Sequence, residues 1–407
     1  MNTQQIAQAL RNAQSPAIAA GPRQITTAPP RPDETWTVPG GTAWVYYGEG
    51  NRALTRPVIM ADGFNTGPST LEFSWQALEC GGHPLISELR RRGRDAVLLG
   101  FDERSDSIIK NAEAAIGAIF EAVGRRQGDH PLAVGGFSMG GLVTRYALAK
   151  LENVGIDHQT ALYWSYDSPH RGAWIPLSLQ AFAHYIRDYD PRFSDQMNSQ
   201  ASRQLLAQHL TTWSDKPEPA PERNEFLLEL NRRGSWPRRP RLIGVANGAG
   251  SGQGNGIGPG QTALRGTGEL IIGTDLRTQP QSGDSRVADL RFVTPDLQEI
   301  NSPGMPRMEG APGGMLEGFG ILADVLNAMP ELGFDTAVDN PIRDHCFVPA
   351  VSAVAIRDIG SDHDLYAPID DLSPEESELD EFLLAGRNEG HTRITEELCG
   401  WILDRMP

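Results

Sequence analysis

PLAVGGFSMGGLVTRYALAK, residues 131–150, sets a serine between two stretches of different periodicity. PLAVG is a short apolar run of the kind that forms a buried strand, and LVTRYALAK reads as a helix. Between them Gly136-Phe137-Ser138-Met139-Gly140 fits G-x-S-x-G. A serine on a tight strand-to-helix turn needs small neighbours two positions before and two after it, because the backbone there is strained. The turn lifts the hydroxyl clear of the sheet and aims the next helix's N-terminus at the oxygen where negative charge will develop. Ser138 is therefore the candidate nucleophile.

Outward from this unit the pattern repeats. TAWVYYG, RPVIMADGF, RDAVLLGF and TALYWSYDSP are short apolar runs, and helical stretches lie between them. Over 105–124, Ile109, Ala112, Ile116, Ile119 and Val123 recur at helical spacing, and a second helix is expected over 84–92. Strand and helix in alternation predict an α/β fold, a mostly parallel sheet flanked by helices.

The alternation stops near residue 173. Residues 174–240 predict a helical cap inserted into the sheet, and RLIGVANG (241–248) returns as a buried strand. Residues 248–337 predict a glycine-rich and hairpin insertion. Glycine occupies every second position from 248 to 260 without forming G-x-G-x-x-G, so the run reads as a loop and not a dinucleotide site. VPAVSAVAI (348–356) is expected as a strand. Residues 1–35 are polar and then proline-rich and predict a flexible arm. The remainder, 36–407, is expected as one domain with its core in 36–173, 241–247 and 338–407.

The chain has 407 residues and is 39% hydrophobic, which excludes a wholly disordered protein. No apolar run reaches the ~20 residues of a membrane span. A formal charge of −16 repels nucleic acid. Cys80, Cys346 and Cys399 form no CxxC and allow at most one disulfide, so neither a metal nor an organic cofactor is expected. The stretch 358–386 carries ten Asp or Glu and no Lys or Arg, and reads as a solvated acidic loop. MNTQQIAQALRNAQ lacks a basic segment followed by an apolar core, so the expected location is the cytoplasm, with signal-independent export as the alternative.

A serine nucleophile needs a base, and the base needs an orienting acid, in the chain order Ser, acid, His. His391, between the apolar run EFLLAG and a final helix, is the candidate base. His170, in SPHRG, follows the strand after the nucleophile and is assigned a structural role. Asp344 is the preferred acid; Asp364, Asp362, Asp339, Asp289 and Asp275 stay open as alternatives. The oxyanion hole is assigned to the N–H of Met139 and to that of Phe64, in the turn PVIMADGFN.

GGFSMGGLVTRYAL, DSPHRGA (167–173), the early DGF turn and GRDAVLLGFDERSDSIIKNA (93–112) together resemble the α/β-hydrolase superfamily, particularly its lipase and inositol-deacylase-like branch. The likeness covers 55–173 well and 338–405 moderately. In that branch a D-x-x-V-P-x-x-S motif supplies the acid, and Asp344 matches it with one extra residue before Val348. Asp62 stands where lipases usually carry histidine. The resemblance implies ester hydrolysis through an acyl-enzyme on a small-molecule ester or lipid, with transient contact to a lipid surface allowed. An acyltransferase or an amide or polyester hydrolase on the same scaffold, and more remotely a non-catalytic binding protein, remain as alternatives.

Overall fold

The computed structural model describes residues 3–12, 24–329 and 337–407. In chain order the elements are α1 (Thr3–Asn12), β1 (Glu34–Val38), β2 (Gly41–Tyr46), β3 (Pro57–Ala61), α2 (Leu71–Leu78), α3 (Leu85–Arg91), β4 (Asp95–Phe101), α4 (Ile108–Arg125), β5 (Leu132–Phe137), α5 (Met139–Asn153) and β6 (Thr160–Tyr166). There follow α6 (Leu177–Tyr185), α7 (Pro191–Met197), α8 (Gln200–Leu205), α9 (Pro221–Arg232) and β7 (Arg241–Ala249). Then come β8 (Thr262–Gly266), β9 (Asp275–Arg277), β10 (Ser285–Leu290), β11 (Gln298–Ser302), β12 (Gly313–Leu316), α10 (Gly318–Asn327), β13 (Val338–Asp339) and β14 (His345–Pro349). The chain ends with α11 (Ala350–Ala353), α12 (Asp362–Leu365), β15 (Glu381–Ala385) and α13 (Glu396–Leu403).

Eight strands form one sheet in the order β1-β2-β4-β3-β5-β6-β7-β15. β1, β2 and β4 pair antiparallel, and every pair from β4 through β3 to β15 is parallel. Parallel neighbours require crossovers, which the helices and the two insertions supply. Because both faces are covered, β3, β4 and β5 are buried along their whole length. Alternate residues then feed opposite cores. Val58 and Met60 pack with Trp75, Ile86, Leu398 and Ile402, from α2, α3 and α13. Ile59 and Ala61 pack on the other face with Ile119, Leu142 and Tyr146, from α4 and α5.

Between β6 and β7 lie four helices, α6 to α9, with a non-helical stretch over 206–220. The next insertion builds a separate five-stranded sheet, β11-β10-β9-β8-β13, and β12 pairs with β14 as a two-stranded ribbon. Three expectations are corrected. VPAVSAVAI is not one strand: β14 ends at Pro349, and Ala350, whose N–H bonds to Pro312 O at 2.9 Å, starts a helical turn. A fully buried apolar run carries no periodicity by which to choose between the two states. Within the hairpin insertion expected over 248–337, ELIIGTDL (269–276) is a turn over 269–273, and the strand is confined to Asp275–Arg277.

The third correction concerns 1–35. Residues 3–12 are helical, because Ile6, Ala9 and Leu10 fall on one face and are buried. Arg192 Nη2 caps that helix's Leu10 carbonyl at 2.8 Å. Residues 13–23 of the same segment lie outside the described residues. The acidic stretch is also tied down: Asp362, Asp364 and Glu378 pair with Arg307, Arg357 and Arg171. No described helix is long and apolar enough to cross a membrane.

Candidate active site

Ser138 stands between β5 and α5 with φ 51° and ψ −122°, a conformation strained for any residue with a side chain. The turn is this tight because β5, β3 and α5 meet with almost no separation. A Cβ on Gly136 would lie 2.5 Å from Gly140 C, and one on Gly140 would lie 2.3 Å from Ala61 O. The Ser138 N–H bonds to Tyr166 O at 2.9 Å, which pins the turn to β6. Met139 is the first residue of α5, so its N–H has no intrahelical acceptor and points out with the helix dipole.

Ser138 Oγ lies 2.8 Å from His391 Nε2, and His391 Nδ1 lies 2.6 Å from Asp167 Oδ2. All three residues are buried; Asp167 is wholly inaccessible. Asp167 follows β6 directly, in a left-handed conformation (φ 49°). Its N–H bonds to Val245 O at 2.7 Å, and its Oδ1 accepts the Asn247 N–H at 3.0 Å. With the carboxylate held in this way, Oδ2 is aimed at the imidazole. Gly314 of β12 closes over it: a Cβ there would lie 2.0 Å from Asp167 Oδ2.

His391 is carried by the loop between β15 and α13. Its N–H bonds to Met315 O at 2.7 Å, and Phe347 meets the imidazole edge-on with ring centroids 4.8 Å apart. Asn388 Oδ1 accepts the N–H groups of Ala249 (3.0 Å) and Gly313 (3.1 Å), joining the loop to β7 and the ribbon. Tyr166 Oη and Asn247 Nδ2 both donate to Arg393 O, at 2.7 and 3.0 Å, from the other side.

The structure thus brings together Ser138 and His391, as expected, but the carboxylate on His391 is Asp167 and not Asp344. Asp344 immediately precedes β14, which pairs in a ribbon outside the main sheet, and both ring nitrogens of His391 are already engaged. The alternatives are placed elsewhere. Asp364 pairs with Arg357, Asp362 with Arg307, and Asp275 and Asp289 with Arg277; Asp339 lies in β13 against β8. Asp167 satisfies the same chain order and directly follows a strand adjoining that of Ser138. That position, visible in TALYWSYDSP, is the signal that would have found it. His170 is buried, 3.1 Å from Ser165 Oγ and 3.5 Å from Arg145, away from this line of hydrogen bonds.

Beside Ser138 a pocket encloses about 60 Å³ of water-accessible space. Met60, Phe73, Leu78, Leu98, Phe137 and Phe347 give it an apolar lining, and Asp62, Gly63 and Phe64 form its rim next to the serine. A Cβ on Gly63 would lie 3.3 Å from Ser138 Cβ, so this turn passes directly over the hydroxyl. Among the described residues, the Phe64 N–H donates to no protein acceptor. Burial pushes the Asp62 carboxyl up from its ordinary range, opposed by Arg104, by Ser69 and by the Gly63 N–H. Among the described residues no cluster of three or more His, Cys, Asp or Glu is arranged to hold a metal ion.

No protein-family profile and no curated protein sequence matches the chain. Among solved structures it is similar to the lipase BlEst2 of Bacillus licheniformis, at 14% identity over 51% of this chain and 72% of that one, with a TM-score of 0.33. It is likewise similar to the carboxylesterase EstE1 from a metagenomic library (16% identity, 60% and 84% covered, TM-score 0.30). A third is the esterase of Pyrobaculum calidifontis (14% identity, 60% and 69% covered, TM-score 0.34). The assignment of fold rests on the chain itself: a mostly parallel eight-stranded sheet in the order 1-2-4-3-5-6-7-8, with a strained serine turn after the fifth strand and a histidine loop after the last, is the α/β-hydrolase fold.

Proposed function

We propose that the protein is a serine hydrolase of carboxylic esters. The observation that carries this reading is the unbroken line Ser138 Oγ, His391 Nε2, His391 Nδ1, Asp167 Oδ2, ending on an apolar pocket. His391 takes the serine proton as Oγ attacks the ester carbonyl, and Asp167 fixes the tautomer and stabilises the imidazolium. Charge on the tetrahedral oxygen is met by the N–H groups of Met139 and Phe64 and by the dipole of α5. His391 then returns the proton to the departing alcohol. Water, activated by the same imidazole, releases the acid from the acyl-enzyme. The lining from Met60 to Phe347 favours an ester whose acyl group is apolar, because burying it there removes hydrocarbon from water without stranding a polar group.

The test is hydrolysis of p-nitrophenyl esters from acetyl to palmitoyl by the wild type and by Ser138→Ala. The expected result is an activity that Ser138→Ala lowers by roughly 10⁴-fold or more, with the preferred chain length reporting the reach of the pocket. A folded wild type with no activity at any length, or a Ser138→Ala variant as active as the wild type, sinks the reading.

A further inference from the structure

We propose that Asp62, with Arg104 as its counter-ion, is the positioning residue of the oxyanion side of this site: it turns the Gly63 peptide so that the next N–H, that of Phe64, is the one presented to the tetrahedral oxygen. The inference rests on reading Ser138 as the nucleophile.

The turn 62–65 packs against Ser138, a Cβ on Gly63 falling 3.3 Å from Ser138 Cβ, and carries two consecutive N–H groups, those of Gly63 and Phe64. The first is committed, because the Gly63 N–H bonds to Asp62 Oδ1 at 2.7 Å. That bond fixes the plane of the Asp62–Gly63 peptide and leaves the Phe64 N–H as the donor. Asp62 is itself held at two further points. Its N–H bonds to Leu99 O at 2.9 Å, and its Oδ2 accepts the Ser69 hydroxyl at 2.7 Å. Ser69 Oγ in turn accepts the Phe101 N–H at 3.0 Å, so the carboxylate is referenced to the end of β4, a rigid central strand.

Arg104 closes the other end of the loop. Its Nη2 donates to Thr66 O at 3.1 Å and its Nε to Gly67 O at 3.3 Å, while its plane lies over Phe73, 4.9 Å from the ring centroid. Its Nη1 is buried without a hydrogen-bond partner among the described residues and faces Asp62 Oδ2 at 3.7 Å. One cation therefore touches the loop's backbone, a pocket-lining ring and the carboxylate that sets the peptide plane. A buried arginine and a half-buried aspartate each lose solvation, a loss that is offset when they face one another. Burial lowers Arg104 from its ordinary range and raises Asp62, and each opposes the other's shift. Holding a donor at fixed orientation before charge develops is the property an oxyanion hole requires, and a loop freed to rotate loses it.

The experiment compares wild type, Asp62→Asn and Ser69→Ala on a p-nitrophenyl ester, with two inhibitors. Butaneboronic acid adds to the serine and places a charged oxygen in the hole; butanol occupies the pocket without doing so. Asp62→Asn is expected to lower kcat by roughly ten- to a hundredfold while KM moves less than about twofold. The butaneboronic acid inhibition constant should rise by the same factor as kcat/KM falls, with butanol unaffected. Ser69→Ala should shift the same quantities in the same direction by a smaller factor, and it carries the test if Asp62→Asn does not fold. An unchanged kcat, or equal weakening of both inhibitors, overturns the role of Asp62. A wild type that neither hydrolyses the ester nor is labelled at Ser138 by a fluorophosphonate overturns the reading of the site instead.

Discussion

Ser138 and His391 meet across one hydrogen bond of 2.8 Å, but the two residues are delivered to it by different means. On the serine side the geometry is local. A strand, a turn and a helix within 132–153 make it, and glycines at 136 and 140 let α5 press against β3. On the histidine side the geometry is assembled from afar. Four side-chain-to-backbone bonds that hold the 386–393 loop join residues 75 to 227 positions apart. Packing forms the first side and a lattice of buried polar contacts the second. Variants should fail differently on the two sides.

The sharpest way to break this comparison is through the residue they share. Asp167 leaves β6 beside the serine strand yet spends its carboxylate on His391. Asp167→Asn keeps the shape but offers an amide where the imidazole N–H needs an acceptor, so the wrong tautomer is favoured. A fall in kcat of roughly 10⁴-fold is expected. Asp344→Asn should leave kcat within about twofold. Steady-state kinetics on both variants decides between the two acids, and a large loss on Asp344→Asn alone would restore the acid expected from sequence.

The same contrast explains what the sequence disclosed. The serine turn, the sheet with its helices, the helical insertion and the histidine loop are all legible, because each announces itself within about twenty residues through periodicity, small residues or position in the order of elements. The carboxylate on His391 was missed because many aspartates follow Ser138 and precede His391 in the chain, and the choice depends on which of them the fold leaves beside the imidazole. Sequence likeness to a D-x-x-V-P-x-x-S motif favoured Asp344; the path of β14, which runs outside the main sheet, removes it. The helix at 3–12 was missed for a related reason. Its polarity suggested an arm, and only the burial of Ile6 and Leu10 gives it a partner surface.

Asn388 sharpens the comparison at smaller cost. Its Oδ1 is the acceptor for two backbone N–H groups, on β7 and on the ribbon. Asn388→Ala strands both, and an unsatisfied buried donor costs roughly 1–3 kcal/mol. The loop then loses its registration on the sheet while the serine turn stays as it was. Expected are a fall in kcat of about tenfold, a lower urea midpoint, and unchanged labelling of Ser138 by a small, strongly activated phosphonyl fluoride. Labelling that falls as far as kcat would mean that the serine side depends on the loop as well.

The smallest effect on activity, and the most diagnostic for stability, belongs to Glu309. It is buried on the histidine side, where Oε1 accepts the Trp174 Nε1–H at 3.1 Å and Oε2 accepts the Gln279 N–H at 3.2 Å. Its own backbone carbonyl receives the Cys346 N–H from β14. Burial pushes its carboxyl up to about 7, opposed only in part by its hydrogen bonds to Trp174 and Gln279, whereas the unfolded chain keeps an ordinary value near 4.5. The folded state therefore holds the proton more tightly. This group's contribution is complete below about pH 4.5 and is lost as pH rises through 7, by roughly 3 kcal/mol in all. His184 and His345, buried neutral with values held at about 4, act in the opposite sense and cost stability as pH falls from 6.5 toward 4. Glu309→Gln deletes the first dependence and leaves the second. One of its two donors then faces an amide N–H₂, a constant penalty that does not vary with pH. The difference in unfolding free energy, variant minus wild type, should therefore climb between pH 4.5 and 7 and level off above, with kcat at pH 8 within about twofold of wild type. Urea titrations at half-unit intervals read that slope directly. A flat difference would mean that Glu309 is as ionised inside the fold as in water, and that the histidine side is no more dependent on buried polar groups than the serine turn it faces.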